Sequence, residues 1–597
     1  MKRSIELRRF RFICAPRKLI KGGLFLGKNP LGATPSVKSR IETAVAALLV
    51  VSAMAAWAEP RMPAVFSDHM VLQAGRSVPV WGMAAPGSTV RVQFAGQSVQ
   101  AVADGQGYWS LQLKALPSSP EPGRMLVTES AAGSDGADSI AIEDVLVGEV
   151  WMAGGQSNMA FPLNSMQGKD AVLAKAANPQ LRLFTVTHRT AAEPLSLHPG
   201  QTPGDVEGKW VLADATSASA FSAVAYLFGA ELQQSLQRPV GMISSNWGGT
   251  PIKTWMSPES FQANIQLHAY ADEYQKALAI HRKVAADPKN EADYQAAEKL
   301  WRKEEGEKLD AAMKIWNEKK KSGADPGPRP TAGRPEPQNP DPTGVPLGGY
   351  RPSTPSISWN AMFAPLVPYA VQGALWYQGE ANVSGYKEYG KMLRAQVEDW
   401  RRQWNEDALE FLCVQLPMNG ASGGKRELAH LREQQASVLT LPHTGLAITY
   451  DVGDPGDVHP ASKIDVAHRL ALLARGQVYG QRVAYASPTL QSVSVDGTAL
   501  RVRFAGVNGK LAIGQAPWVA ADAKPLPMDK LLGFEVAGDD GVYHAADARI
   551  EGDSVVVSSK EVAAPRFVRY AWDASPQANL YDSTGLPAAP FRTDNDE

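Results

Sequence analysis

Asp144-Val-Leu-Val-Gly-Glu-Val-Trp-Met-Ala-Gly-Gly-Gln-Ser-Asn-Met159 decides the fold of this chain. Asp144 to Trp151 is apolar and β-branched, which predicts a buried strand. Gly154 and Gly155 then let the backbone turn without a Cβ clash. Ser157 therefore emerges just past the end of a strand, where α/β proteins place reactive groups. Alone, Gly-Gln-Ser-Asn reads better as the polar turn that ends a strand. Three segments further along the chain, each in the expected order, change that judgement.

Downstream, strands alternate with helices from about Ile140. A helical run covers Ala220 to Gln237, and Val240 to Ser245 predicts the next strand, ending in Asn246-Trp-Gly-Gly-Thr250. Residues 257–354 break the pattern. Their first part is charged and helical, with Tyr270, Tyr274 and Leu278 on one face and Leu309, Met313 and Trp316 on another. Gly323 to Thr354 is rich in Pro and Gly and reads as a loop or extended linker. The whole stretch reads as an insertion. The α/β pattern resumes with Ala374-Leu-Trp-Tyr-Gln-Gly-Glu380 and a helix carrying Tyr386, Tyr389, Leu393, Val397, Trp400 and Trp404 on one side. The Cys413 strand, a helix near Leu428 to Leu439, and a strand over Gly445 to Tyr450 follow. Asp451-Val-Gly-Asp-Pro-Gly-Asp-Val-His-Pro460 comes next, before a helix from about Ser462 to Gly476.

On either side the chain reads as β. Val78–Trp81, Thr89–Phe94 and Trp109–Leu113 lie upstream; Leu500–Phe504 and Ser554–Ser558 lie downstream. The expected division is an export leader (1–58), an N-terminal β-sandwich (59–139), an α/β domain (140–484, with 257–354 inserted) and a C-terminal β domain (485–597). At 597 residues several domains are needed. The net charge of -1 gives no basic field, so nucleic acid is not an expected partner. The leader is basic from Arg8 to Arg40, then apolar from Ala44 to Trp57, and Ala56-Trp57-Ala58 fits a small-x-small cleavage site. The apolar run is short for a membrane span, so no stable membrane insertion is expected after cleavage. Of the two cysteines, Cys14 would leave with the leader, and Cys413 reads as a small buried hydrophobe. No internal disulfide is then possible in the mature chain, and cysteine-based metal sites drop out.

Four loops thus lie beyond the ends of predicted parallel strands. They carry Ser157, the pair Gly248-Gly249, Gln378 with Glu380, and Asp457 with His459. A serine hydroxyl is a poor nucleophile until a histidine takes its proton, and a carboxylate can hold that imidazole in the right tautomer. A tetrahedral intermediate also needs donors aimed at its oxyanion. The Ser157 N–H, a glycine N–H and the Gln378 amide suit that role. Asp-x-His can equally be a turn held by the aspartate, and Gln-Gly-Glu a strand end. Their joint occurrence is the argument.

Gly155-Gln-Ser-Asn158, Asn246-Trp-Gly-Gly-Thr-Pro251, Trp376-Tyr-Gln-Gly-Glu380 and Asp457-Val-His-Pro460 resemble the motif blocks of the SGNH-hydrolase superfamily. Within it they resemble the sialate O-acetylesterase family. Phe66-Ser-Asp-His-Met-Val-Leu72 is similar to part of that family's N-terminal region. The resemblance implies a flavodoxin-like α/β/α sandwich flanked by β-sandwich domains. It implies hydrolysis of O-acetyl esters on sugars, foremost O-acetylated sialic acid, with no cofactor and no metal. It assigns Ser157 as nucleophile, His459 as base, and Ser157 N–H, Gly249 and Gln378 as oxyanion donors, with Gly248 a near alternative. Asn158, Trp376 and Glu380 fall to substrate binding, and Glu380 orders its loop rather than attacking. His468 reads as packing or surface. One position departs from the superfamily: where an Asp usually stands three before the His, this chain has Gly456. Asp457 and Asp454 both remain candidates for the third member.

An acetylxylan or other plant-glycan acetylesterase would use the same residues. A non-catalytic carbohydrate-binding protein is the reading from another class, and the intact Ser157, Gln378 and His459 speak against it. Oligomeric state is not legible. Export, to the periplasm or beyond the cell, predicts a mature N-terminus near Glu59. Sequencing of protein recovered outside the cytoplasm should begin there; active protein that keeps Met1 in a membrane fraction would show an uncleaved anchor instead.

Overall fold

The computed structural model describes residues 60–130, 137–198, 200–321, 324–344, 352–419, 426–515 and 525–594. The leader, its cleavage site and Cys14 lie outside the described residues. Six strands come first: Val71–Gln73 (β1), Val78–Met83 (β2), Thr89–Phe94 (β3), Gln97–Val102 (β4), Tyr108–Leu113 (β5) and Ser119–Ser130 (β6). β3 shows why they form. Val90, Val92 and Phe94 are buried while Arg91 and Gln93 face water, the period of a half-buried strand. β2 and β5 pair as an antiparallel ribbon. β3, β4 and β6 pair antiparallel and continue onto a longer strand, Ala137–Gly155 (β7).

β7 is 19 residues long, and the predicted strand is its middle. Its first half pairs with β6 and its second half enters the parallel core. The border expected at 139/140 therefore falls inside one strand. The strands β3, β4 and β6 join the sheet of the α/β core instead of closing as a separate sandwich. No proline interrupts Ala137 to Gly155, so nothing ends the strand where the composition changes. Asp144 sits at φ +56 within β7, and its carboxylate accepts from Arg182 and lies 2.6 Å from the His69 Nδ1.

The remaining core strands are Asn178–Thr185 (β8), the short Leu195–Ser196 (β9) and Thr202–Pro203 (β10), Trp210–Ala213 (β11), Val240–Asn246 (β12), Gly373–Tyr377 (β13), Glu410–Val414 (β14) and Thr444–Ala447 (β15). The core order is β11-β8-β12-β7-β13-β14-β15, parallel throughout except that β11 runs against β8. β7 is central, with β12 and β13 in register on either side of Gly155. Every residue of β12, β13, β14 and β15 is buried, as continuous apolar runs in parallel sheets require. Cys413 lies in β14, buried, and burial pushes its thiol pKa up.

The longer helices are Ala223–Leu236 (α1), His268–Ala285 (α2), Pro288–Trp301 (α3), Glu307–Lys321 (α4), Tyr386–Trp404 (α5), Glu427–Ala436 (α6) and Ile464–Leu473 (α7). α1 packs on α7, and α5 on α6. Tyr389, Leu393, Val397, Trp400 and Trp404 of the predicted stripe are buried in α5. α2, α3 and α4 form the helical part of residues 257–354. The segment 324–344 has no regular structure, but it is tied down: Trp301 donates to the Arg334 carbonyl at 2.9 Å and Trp316 to the Gly327 carbonyl at 3.0 Å. This excursion leaves and returns at one place. The Ser356 N–H donates to the Lys253 carbonyl at 3.0 Å, and the Thr254 and Ser358 hydroxyls lie 2.9 Å apart. No helix among the described residues is long and apolar enough to cross a membrane.

Beyond Thr489 the strands are antiparallel, in two four-stranded sheets and a two-stranded ribbon. The Phe504 ring of one sheet meets the Phe591 ring of the other at 6.0 Å. A buried ion pair ties this region to the core. Arg469 of α7 grips the Asp451 carboxylate through both nitrogens, at 2.6 and 2.7 Å, and the Tyr581 hydroxyl donates to it at 3.0 Å. Removing one partner leaves the other charged and dry. Arg469→Met is expected to lower unfolding stability by about 3–5 kcal/mol, read as a fall in the urea midpoint. A variant as stable as the parent would show that this pair carries no such role.

Candidate active site

The turn that carries Ser157 is built by exclusion. A Cβ on Gly154 would meet the Trp376 ring at 3.1 Å and the Phe363 ring at 3.2 Å. At Gly155 the backbone sits at φ +138, and a Cβ would lie 2.1 Å from the Tyr377 carbonyl oxygen. Only glycine fits. The Trp247 N–H donates to the Gly155 carbonyl and the Gln156 N–H to the Tyr377 carbonyl, each at 3.1 Å. Three strand ends are thereby stitched together, and Ser157 opens a single helical turn, Ser157–Ala160, half-buried. Gly248 abuts it: a Cβ there would stand 3.3 Å from the Ser157 Cβ. Gly249 follows at φ +75.

His459 arrives from the loop after β15, with Nε2 2.8 Å from Ser157 Oγ. The two candidate aspartates separate here. Asp454 Oδ1 accepts the Gly456 N–H at 2.7 Å, which commits it to the turn. Asp457 Oδ1 accepts the His459 backbone N–H at 2.9 Å and stands 3.9 Å from His459 Nδ1. His468 lies elsewhere, on α7, paired with Glu231 at 2.9 Å, which raises its pKa.

Beneath the Ser–His contact lies a buried polar block. Asn158 is fully buried. Its Nδ2 donates to Glu380 Oε1 at 2.5 Å and to the Val458 carbonyl at 2.9 Å, while its Oδ1 accepts from Lys463 Nζ at 2.6 Å. The Lys463 ammonium lies over the Phe161 ring at 4.8 Å and the Tyr377 ring at 5.6 Å. Gln156 Oε1 accepts from Gln378 Nε2 at 3.1 Å and from the Ala381 N–H at 3.1 Å. Among the described residues no group of three or more His, Cys, Asp or Glu side chains converges as metal ligands.

No family model matches this chain. The sialate O-acetylesterase of Rattus norvegicus is 28% identical over 455 residues, 71% of this chain and 74% of that protein. The Homo sapiens sialate O-acetylesterase is 25% identical over 453 residues, 71% of this chain and 72% of its own. The crystal structure of a carbohydrate acetylesterase from Xanthomonas citri is 31% identical, with a TM-score of 0.68, over 90% of this chain and all of that one. This chain belongs to the family of the Xanthomonas citri carbohydrate acetylesterase, and the sialate O-acetylesterases are its more distant relatives.

Three of the residues expected to face substrate in this family member are placed differently. Trp376 is in the core, 1% exposed, with its ring against Trp400 and Phe411. It points away from the strand end because an inward position on a fully covered strand belongs to packing. Asn158 spends its amide on Glu380, Val458 and Lys463 and has no surface left for a sugar. Gln378 is fully buried, and its Nε2 donates to Gln156 Oε1, to Asn382 Oδ1 at 2.8 Å and to the Thr250 carbonyl at 3.2 Å. An amide nitrogen has two hydrogens, and here protein acceptors take them. Gln378 therefore fastens the strand ends rather than standing as a ready oxyanion donor. Glu380 Oε1 accepts from Asn158 Nδ2, and its Oε2 is buried without a hydrogen-bond partner.

Lys463 escaped the sequence. It stands four positions after His459, at the mouth of α7, in a stretch without periodicity. Only its burial reveals it. Desolvation pushes its pKa down to about 7, against the pull of Glu380 and Asp457. Desolvation likewise raises the pKa of Glu380, against the Asn158 hydrogen bond and Lys463. The unfolded chain keeps a lysine protonated up to a pH of about 10.4. Between about 7 and that value the unfolded state therefore binds more protons than the folded one, and this residue makes stability rise with pH. Lys463→Met removes that contribution. Urea unfolding at pH 7 and pH 9 should show the parent gaining about 2 kcal/mol relative to the variant across the interval. Parallel pH profiles would place Lys463 in a site that solvates its charge.

Proposed function

We propose that this chain is a serine O-acetylesterase that removes acetyl groups from O-acetylated sugars, O-acetylated sialic acid foremost. The observation that carries the reading is the 2.8 Å contact from Ser157 Oγ to His459 Nε2, at the C-terminal edge of a parallel sheet. Ser157 Oγ attacks the acetyl carbonyl carbon while His459 Nε2 takes its proton. The oxyanion is assigned to the Ser157 N–H and the backbone of the glycine pair whose first member, Gly248, abuts Ser157; backbone donors there need no reorganisation. When the intermediate collapses, the C–O bond to the sugar breaks and His459 gives its proton to the departing oxygen. Water, deprotonated by His459, then attacks the acetyl-serine and releases acetate.

The buried block supports this chemistry mechanically. Asn158 ties the Val458 carbonyl, one residue before His459, to the turn that carries Ser157. Asp457 orients and stabilises the imidazolium. Standing 3.9 Å from Nδ1 and more than half exposed, it does so more weakly than a hydrogen-bonded, buried carboxylate. The finer architecture belongs to the same proposal: a flavodoxin-like α/β/α sandwich with 257–354 inserted, followed by a β domain over 485–597. So does export, directed by the leader over 1–58.

Ser157→Ala, confirmed folded, should lose nearly all release of acetate from O-acetylated sialic acid. Asp457→Asn should lose more than Asp454→Asn, but less than the about 10⁴ that a fully bonded triad aspartate supplies. A folded Ser157→Ala enzyme that keeps most of its turnover would refute the assignment. Faster acetate release from acetylated xylan than from O-acetylated sialic acid would move the substrate to plant glycans.

A further inference from the structure

Along the C-terminal edge of the sheet, the ends of β8, β12 and β7 lie side by side. The Val186 N–H donates to the Ser244 carbonyl at 2.9 Å, which carries the β8–β12 pairing past the end of β8. Two residues further on stands His188; Trp247 follows β12, and Ser157 follows β7. The His188 and Trp247 rings are stacked, with centroids 4.5 Å apart and planes within 6°. The imidazole is fixed, because its Nε2 lies 2.8 Å from the Asn246 carbonyl and so carries the donated hydrogen. Desolvation of that edge lowers its pKa, against the Asn246 hydrogen bond, which keeps the ring neutral near neutral pH.

Trp247 differs from the other tryptophans of the described residues. Eleven of them are buried. Trp316 is half-buried, but its indole N–H donates to the Gly327 carbonyl. Trp247 is half-buried, and among the described residues its indole N–H, unlike its backbone N–H, meets no protein acceptor. An aromatic ring left partly wet, backed on one face by a locked neutral ring, offers solvent an apolar surface that the fold does not fully cover. It stands one residue from the glycine that abuts the nucleophile.

Resting on the esterase reading above, we propose that the Trp247–His188 pair is a subsite that takes the apolar face of a pyranose ring whose acetyl group lies at Ser157. A pyranose presents axial C–H groups on one face, which suit stacking on an indole, and hydroxyl oxygens at its rim, which suit the free indole N–H. The neutral imidazole makes the platform one for an uncharged ring face rather than for an anion. Arg189, next in the chain, has its guanidinium 3.7 Å from Glu207.

The test compares two esters on the full-length protein: ethyl acetate, which has no ring, and glucose pentaacetate. In Trp247→Ala the ratio of kcat/KM for the sugar acetate to that for ethyl acetate should fall by about tenfold, the scale of one aromatic contact, and mainly through KM. Trp247→Phe should recover most of the ratio, and His188→Ala should lower it less than Trp247→Ala. Circular dichroism and thermal melts establish that each variant is folded. An unchanged ratio in folded Trp247→Ala, an equal loss on both esters, or no recovery with Phe would overturn the subsite. Saturation-transfer NMR with methyl β-glucopyranoside needs no turnover. A signal lost in Trp247→Ala, from a parent that hydrolyses neither ester, would keep the subsite and sink the esterase reading. A signal equal in parent and variant would do the reverse.

Discussion

Everything at the site depends on how closely β7 and β13 approach at their C-terminal ends. The Tyr377 carbonyl oxygen occupies the space where a side chain on residue 155 would be, and the same oxygen accepts the Gln156 N–H. This contact fixes where β7 stops and which way the chain turns. Ser157 is then set between two neighbouring strand ends, one bringing Gly248 and the other Gln378. Any residue with a Cβ at 155 would push β13 away and take Gln378, and the loop behind it, along. The position of the Ser157 oxygen is thus set by an atom that is missing.

The block below the surface trades stability for position. A lysine buried beside a carboxylate with one unpartnered oxygen is a poor choice for stability, because both desolvation costs are large. Its geometry explains its presence. Asn158 has four hydrogen-bonding sites on its amide, and Lys463, Glu380 and Val458 use three of them in fixed directions. Apolar side chains of the same volume would fill the space without dictating the angle between the serine turn and the histidine loop.

Much of this was legible in the sequence because parallel strands are buried on both faces and read as unbroken apolar runs. Val240–Ser245 and the run around Cys413 are found as strands, and the four loops appear in their order. β8 is missed because Asn178-Pro-Gln opens it and Arg182 interrupts its apolar residues; that arginine is spent on Asp144, a partner nothing local announces. The strand from Gly445 ends at Ala447, where the Thr449 hydroxyl turns to the Gln415 carbonyl and the chain tightens into Tyr450–Val452. At the site, the Ser–His pairing was readable from residue type and order. What Gln378, Trp376 and Lys463 do was not, since each depends on what fills the space around it. Gln378 met acceptors on three sides, Trp376 met the rings of Trp400 and Phe411, and Lys463 met Asn158 and two aromatic faces.

The chain between Lys253 and Ser356 begins and ends within one hydrogen bond. A polymer loop whose ends already touch imposes no tension on its anchor, and the entropy of closing it rises only with the logarithm of its length. Evolution can therefore lengthen, shorten or recompose this detour with little cost to the sheet. The anchor is another matter. Ile252, immediately before it, donates its N–H to Asn382, which also accepts from Gln378. The detour is free to drift in length, while its hinge is held by Asn382, the partner of the Gln378 amide that fastens the strand ends beside Ser157.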